Sequence, residues 1–303
     1  MDHVEFDRDP PATLPTLVIA FGGWIDAGQA ATGALRHLVK ELPAERVARI
    51  DPEEFFVFTQ ERPEVRLRPD QSREIHWPRS EFFAWDPGDH RDGILLFSGP
   101  EPHQRWKSYT KAFLDVAQRC GVRRIVSLGA LLASAPHTRP MRVTARCSDP
   151  AWRSLVEAWG IYRVPTYEGP TGISTIVLDD AERRGISHLG FMGQAPHYLQ
   201  GAENPAAIEA LVSYVARLLH LSPDMSQFAE AIQEFNVQCD RAVAKSRATR
   251  EHVKQLEQEY DATAAEERQP LPLEKVDSDK LMQELEEFLR KQGDGSGGSE
   301  GRR

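Results

Sequence analysis

Over the first 221 residues, short apolar runs alternate with segments whose apolar positions recur at helical spacing. TLVIAF (16–21), RVARI (46–50), GILLFSG (93–99), RIVSLGALL (124–132), GISTIVL (172–178) and HLGFMG (188–193) read as strands, and several are apolar at consecutive positions, as strands buried on both faces are. Between them the spacing predicts helices at 26–41, 104–120, 149–159 and 205–220. Strands alternating with helices build βαβ units, so the expectation is an α/β domain at 15–221: a three-layer α/β/α arrangement around a mostly parallel sheet. Residues 51–92 are irregular, rich in Pro, Arg and aromatics, and contain one hairpin pattern, RLRPDQSREIHW (66–77). Residues 1–14 read as an N-terminal extension.

The pattern changes at Ser222-Pro-Asp-Met225. Met225, Phe228, Ile232, Phe235, Cys239, Ala242, Ser246, Thr249, Val253, Leu256 and Tyr260 keep a three-four spacing, the seam of one long helix, bulky at its ends and small in its middle. Beyond a Pro break, Leu281, Leu285, Phe288 and Leu289 line a second amphipathic helix, started at Ser278 with Asp279 in the first turn. Residues 222–292 are therefore expected to form a helical appendage, packed on the body or on a partner. GDGSGGSEGRR (293–303) has nothing to bury and is expected to be disordered.

Charge narrows the partners. Residues 224–303 carry 18 Asp/Glu against 12 Lys/Arg, which leaves −3 of the total −9 for the rest of the chain. Neither part has the basic stripe that a nucleic acid or an anionic membrane would attract, and no apolar run reaches the roughly 20 residues of a spanning helix. No nucleic-acid and no membrane partner is expected. Cys120, Cys147 and Cys239 are odd in number and widely spaced, which fits reduced thiols, and MDHVEFDRDPPATLP lacks a signal peptide's cationic start; a cytoplasmic protein is expected.

Candidate chemistry gathers in the loops after strands. Gly23-Trp-Ile-Asp-Ala-Gly28 has the glycine spacing of a P-loop, but Gln29-Ala30 replaces its Lys-Ser/Thr pair, and the offsets of Gly22, Gly23, Gly28 and Gly33 do not match G-x-G-x-x-G. A glycine corner followed by Asp26 as a helix N-cap remains, either structural or anion-binding; an Asp there would repel an anion. Three Pro-His dipeptides, at His103, His137 and His197, each follow a strand, so the three imidazoles share a sheet edge and are candidates for proton transfer or, if they converge, for zinc ligation. The bland alternative is a histidine that fixes a rigid turn. Arg105 and Arg139 could grip an anion or pair with an acid such as Glu101 or Glu168, and Glu168 beside Gly-Pro-Thr-Gly is a candidate base. Gly22, Gly23, Trp24, Asp26, His103, Arg105, His137, Arg139, Glu168 and His197 thus make up the candidate pocket. No Ser is set in a G-x-S-x-G elbow between a strand and a helix, no catalytic residue is assigned, and no metal or cofactor is expected.

FGGWIDAG, FSGPEPH with the following RW, LGALLASAPHTRP, TYEGPTGI and APHYLQGAENPAA occur in that order, and over residues 15–260 the chain resembles the proteasome assembly chaperone 2 family in its prokaryotic, actinobacterial form. The resemblance implies a core similar to nucleoside phosphorylases and hydrolases, a helical appendage, and self-association into homo-oligomers such as trimers. Members that engage the proteasome directly do so through a C-terminal hydrophobic-Tyr-any tripeptide; this chain ends Gly301-Arg302-Arg303, so direct docking is not expected. Two functional readings follow. The first is a non-catalytic oligomeric scaffold or assembly factor, with the 225–260 helix as a protein-binding element. The second is a nucleoside- or phosphate-type binding protein or hydrolase/phosphorylase-like enzyme built on the candidate pocket.

Overall fold

The computed structural model describes residues 2–10, 13–88, 92–164, 166–199 and 201–268. By its internal contacts the chain divides into Met1–Glu257 and Gln258–Arg303; of the second unit residues 258–268 are described, all of them helical. The second amphipathic helix expected near 278–289 and the tail at 293–303 lie outside the described residues.

The elements in chain order are β1 (Val4–Phe6), β2 (Thr16–Gly22), α1 (Ala30–Glu41), β3 (Glu45–Ile50), β4 (Glu64–Leu67), β5 (Arg73–His76), β6 (Ser80–Trp85), β7 (Ile94–Pro100), α2 (Trp106–Arg119), β8 (Arg124–Ala133), β9 (Val143–Cys147), α3 (Pro150–Ala158), α4 (Ile173–Arg183), β10 (Ser187–Pro196), α5 (Pro205–Leu219), α6 (Ser226–Ala244) and α7 (Arg247–Arg268). Eight strands form one sheet in the order β1-β3-β6-β7-β2-β8-β10-β9. Its centre, β7-β2-β8-β10, is parallel; β6, β3 and β1 on one flank and β9 on the other run antiparallel.

The double-sided burial of the centre explains its apolar runs. Along β2, Leu17, Ile19 and Phe21 enter one core while Val18 and Ala20 enter the other, as the two-residue period of a strand requires. Helices α2 and α4 cover the first core, through Tyr109, Phe113, Val177 and Ala181. Helices α1, α3 and α5 cover the second, through Leu35, Trp152, Leu211 and Val215. This is the expected α/β/α sandwich with C-terminal helices.

Several expectations need correction. GISTIVL is not a strand: Ile173, Val177, Leu178 and Ala181 are the buried face of α4, and the four-residue recurrence outweighs β-branched composition. Val4–Phe6, in the expected N-terminal extension, pairs with β3, Glu5 opposite Arg49. Strands β6 and β9 have no counterpart in the sequence reading. The expected helix at 26–41 begins as α1 only at Ala30, after a 3-10 turn in which Gly28 (φ 64°) and Gln29 (φ 50°) are left-handed. The expected continuous helix from 225 to 260 is two helices, broken at Lys245-Ser246; Ser246 Oγ accepts the Thr249 N–H at 3.3 Å and restarts the helix inside the small-residue stretch of the seam. The hairpin is present as β4 and β5, with Val65 opposite Ile75 and Leu67 opposite Arg73.

Candidate functional site

Because β7, β2, β8 and β10 are parallel neighbours, the loops that leave their C-terminal ends share one rim. Every Pro-His loop and the glycine corner lie there. At the corner, Gly22 O accepts the Glu101 N–H at 2.8 Å, and Gly23 turns with φ 123°, a conformation that favours glycine. Trp24 stands 56 % exposed. Asp26 looks inward: its carboxylate accepts the Ala31 N–H at 2.8 Å, the Thr32 N–H at 3.2 Å and the Thr32 hydroxyl at 2.5 Å. Burial raises the Asp26 pKa from its ordinary value, against the pull of the Thr32 and Ala31 hydrogen bonds. The N-cap of α1 is Gln29 and not the expected Asp26, whose carboxylate nevertheless accepts N–H groups of the first turn from outside the helix.

The second helix start on this rim is stopped in the same way. Gly172 leads into α4, and the Ile173 N–H donates to Glu101 Oε1 at 2.7 Å. At both helices the positive end that could hold an anion already faces a carboxylate of the chain.

The three histidines have different settings. His103 accepts the Val57 N–H on Nδ1 at 3.1 Å and packs edge-on against Phe56, so it fixes the turn after β3. His137 and His197 both pack against Tyr198, at ring-centroid distances of 5.8 and 5.5 Å. The ring of His137 is buried; Tyr198 Oη accepts the His137 backbone N–H at 2.8 Å and donates to Nδ1 at 2.7 Å, which leaves Nε2–H to donate to Asp240 of α6 at 3.2 Å. Burial pushes the Tyr198 hydroxyl up to about 12, so it serves as a donor here. His197 donates Nδ1–H to Ala133 O at 3.1 Å and turns Nε2 toward His252 of α7.

The arginines are engaged by acids other than Glu101 and Glu168. Arg105 forms an ion pair with Glu54, and Arg139 lies 3.5 Å from Glu257 of α7, whose carboxylate also accepts the Thr138 hydroxyl at 2.5 Å. Glu168 is exposed, in a loop closed by the Tyr167 hydroxyl donating to Pro170 O at 2.9 Å. Sequence reasoning missed Tyr198, Asp240, His252 and Glu257. Asp240 and Glu257 each follow a seam residue directly, Cys239 and Leu256, and that adjacency is the signal that could have found them.

Cavities of appreciable size occur on another part of the surface. One of about 410 Å³ is lined by Arg46, Arg49, Asp51, Trp77, Arg79 and Glu81 among others, beside the antiparallel flank. Its Arg46 is already held by Asp7 and Glu81, each at 2.7 Å, and the Arg46 guanidinium keeps the Asp7 carboxyl below its usual range. Among the described residues no helix is long and apolar enough to cross a membrane.

Comparison with known proteins locates this arrangement. The model of the PAC2 family matches residues 20–243. A PAC2 family protein from Streptomyces avermitilis is 33% identical, the match covering 79% of this chain and 99% of that one, with a TM-score of 0.70. A proteasome-assembly chaperone homologue from Mycobacterium tuberculosis is 30% identical over 78% of this chain and 99% of its own, with a TM-score of 0.69. PbaB of Pyrococcus furiosus, an archaeal proteasome activator, shares the fold at 21% identity, covering 79% of this chain and 97% of that one, TM-score 0.63. No curated protein matches the chain.

Proposed function

The chain belongs to the PAC2 family, and from that membership we propose that it is a non-catalytic assembly factor that works as a homo-oligomer, most simply a trimer. The observation that carries the reading is the β4–β5 hairpin. Among the described residues it pairs with no third strand, and Val65, Leu67, Ile75 and Trp77 of one face are 59, 70, 54 and 48 % exposed. A two-stranded hairpin is marginal in water without a partner for its apolar face.

The partner we assign is a second copy of the chain. Residues 62–79 carry five Arg against three acids, whereas the whole chain is at −9, so the hairpin approaches other copies as their electrostatic complement. Further exposed apolar residues, Trp24, Leu131 and Leu132 at 56, 42 and 43 % exposure, lie toward the strand ends of the same chain. Contact between two different patches of identical chains is heterologous, and where its rotation closes it makes a ring such as a trimer. Against a small-molecule pocket at the strand ends stands the engagement of Asp26, Glu101, Arg105 and Arg139 by other groups of the chain.

Light scattering after size exclusion tests the oligomer. The wild type is expected near three times the 34.1 kDa chain mass, and the double variant V65E/L67E near one, with an unchanged far-ultraviolet spectrum. A monomeric wild type, or a variant that still associates, would overturn the reading. Affinity capture from native lysate that recovers no protein partner would remove the assembly-factor part of it.

A further inference from the structure

Where α7 crosses the strand-end loops, two imidazole nitrogens face each other. His197 Nε2 lies 3.4 Å from His252 Nε2, with the rings 74° apart and their centroids at 5.4 Å. A nitrogen–donor hydrogen bond is usually about 2.7–3.2 Å long, so this pair is wider than a good one. Two nitrogens bound at about 2.0–2.1 Å to one tetrahedral ion stand about 3.4 Å apart. The spacing is that of two ligands of a common centre.

The proton positions agree. Ala133 O can only accept, so His197 carries its proton on Nδ1 and presents a lone pair on Nε2. An imidazole whose other nitrogen donates to a backbone carbonyl is the usual arrangement of a metal-binding histidine, because that bond fixes both tautomer and ring orientation. Both histidines are exposed, and His252 needs only its Nδ1–H tautomer to present the second lone pair.

We propose that His197 and His252 form a two-histidine site for a divalent late-transition cation, of the class of Zn²⁺, Ni²⁺ or Cu²⁺, which pins α7 to the end of β10. Among the described residues no group of three His, Cys, Asp or Glu could hold a metal, so water completes the coordination and the site is open to solvent. Neutral imidazole suits these ions, while Mg²⁺ and Ca²⁺ require oxygen ligands. The ion would add to contacts of the same kind nearby: His137 to Asp240 of α6, and Thr138 and Arg139 to Glu257 of α7. The loops after β8 and β10 would then hold the helical appendage by three separate links.

The test is titration of the full-length chain with Zn²⁺ and with Mg²⁺, followed by calorimetry and by ¹⁵N spectra of the imidazoles. The wild type is expected to take up Zn²⁺ with both Nε2 resonances, His197 and His252, moving together, and to melt at a higher temperature with Zn²⁺ than without. H252Q and H197Q are each expected to bind at least about tenfold more weakly and to lose the thermal gain; H220Q, at an exposed histidine outside this pair, is expected to match the wild type. Mg²⁺ is expected to do nothing. Equal Zn²⁺ binding by wild type and H252Q, or Zn²⁺ that leaves the two Nε2 resonances in place, would overturn the site and leave a hydrogen-bonded pair. The ¹⁵N measurement on the wild type decides the matter even if a variant folds poorly.

Discussion

Replacing Asp26 separates its capping role from its charge. Asp26→Ala removes the acceptor of the Ala31 and Thr32 N–H groups and of the Thr32 hydroxyl at once. Loss of a capping side chain costs about 0.5–2 kcal/mol, and in a body of this size each kcal/mol lowers Tm by roughly 2–4 °C. A fall of about 1–8 °C is expected. Asp26→Asn has a different consequence, because its amide oxygen can take both N–H groups while its NH₂ donates to Thr32 Oγ1. What Asn removes is a buried negative charge. Burial raises the folded-state pKa of Asp26 above its unfolded value, so the stability that the group contributes is fully present below the unfolded pKa and is lost as pH rises through the folded one. Asn does not titrate. The stability of Asp26→Asn relative to wild type should therefore be least favourable near about pH 4 and should improve with rising pH, reaching a plateau above the folded pKa. Urea unfolding of both proteins at about pH 4.5 and about pH 7.5 measures this. If Asp26→Asn is the less stable protein and the gap widens as pH rises, attraction between the carboxylate and the α1 N-terminus outweighs burial, and the reasoning fails.

Three further outcomes are expected. Glu101→Ala should lower Tm by roughly 1–8 °C through loss of the α4 cap, and Glu101→Gln by less, since the amide still accepts the Ile173 N–H and only a charge–dipole interaction of about 0.3–1 kcal/mol is lost; equal losses in a melting scan would refute the capping role. Phe228→Ala should cost about 3–5 kcal/mol in chemical unfolding, because Phe228 is buried in the core beneath α6, edge-on to His37 at 4.9 Å; a loss under about 1 kcal/mol would mean that α6 contributes little to the body. Burial pushes the thiols of Cys120, Cys147 and Cys239 up to about 11, so all three should react slowly with a thiol reagent at about pH 7.5 in the native protein and rapidly in urea; a fast native equivalent at Cys239 would show α6 leaving its place.

What could be read from the sequence followed the range of the interaction that decides it. The central strands were legible because burial on both faces makes consecutive positions apolar, as in Leu17 to Phe21. Asp26 was legible because a cap acts within six residues of chain. The flanking strands were harder: β9, VTARC, alternates apolar and polar residues, but over only five positions, too short a run to stand out from a loop. GISTIVL misled because its β-branched composition argued for a strand while its period argued for a helix, and seven residues are too short to let the period prevail.

The partners of the rim residues lay out of reach for another reason. Glu257 stands 118 residues from Arg139, Asp240 103 from His137 and His252 55 from His197, and no local pattern encodes such pairings. The seam at 225–260 did announce that one side of the appendage is buried, and Phe228, Cys239, Val253 and Leu256 are. It could not announce what that side covers. The positions that meet the loops after β8 and β10 are polar neighbours of the seam, which on an isolated helix would read as a solvated face. A polar residue one step from a buried seam is therefore where a chain of this design carries its contacts between layers. The same logic directs attention to Asp240, His252 and Glu257 ahead of the glycine corner, whose polar groups are already answered from within three to six residues or by the adjacent strand.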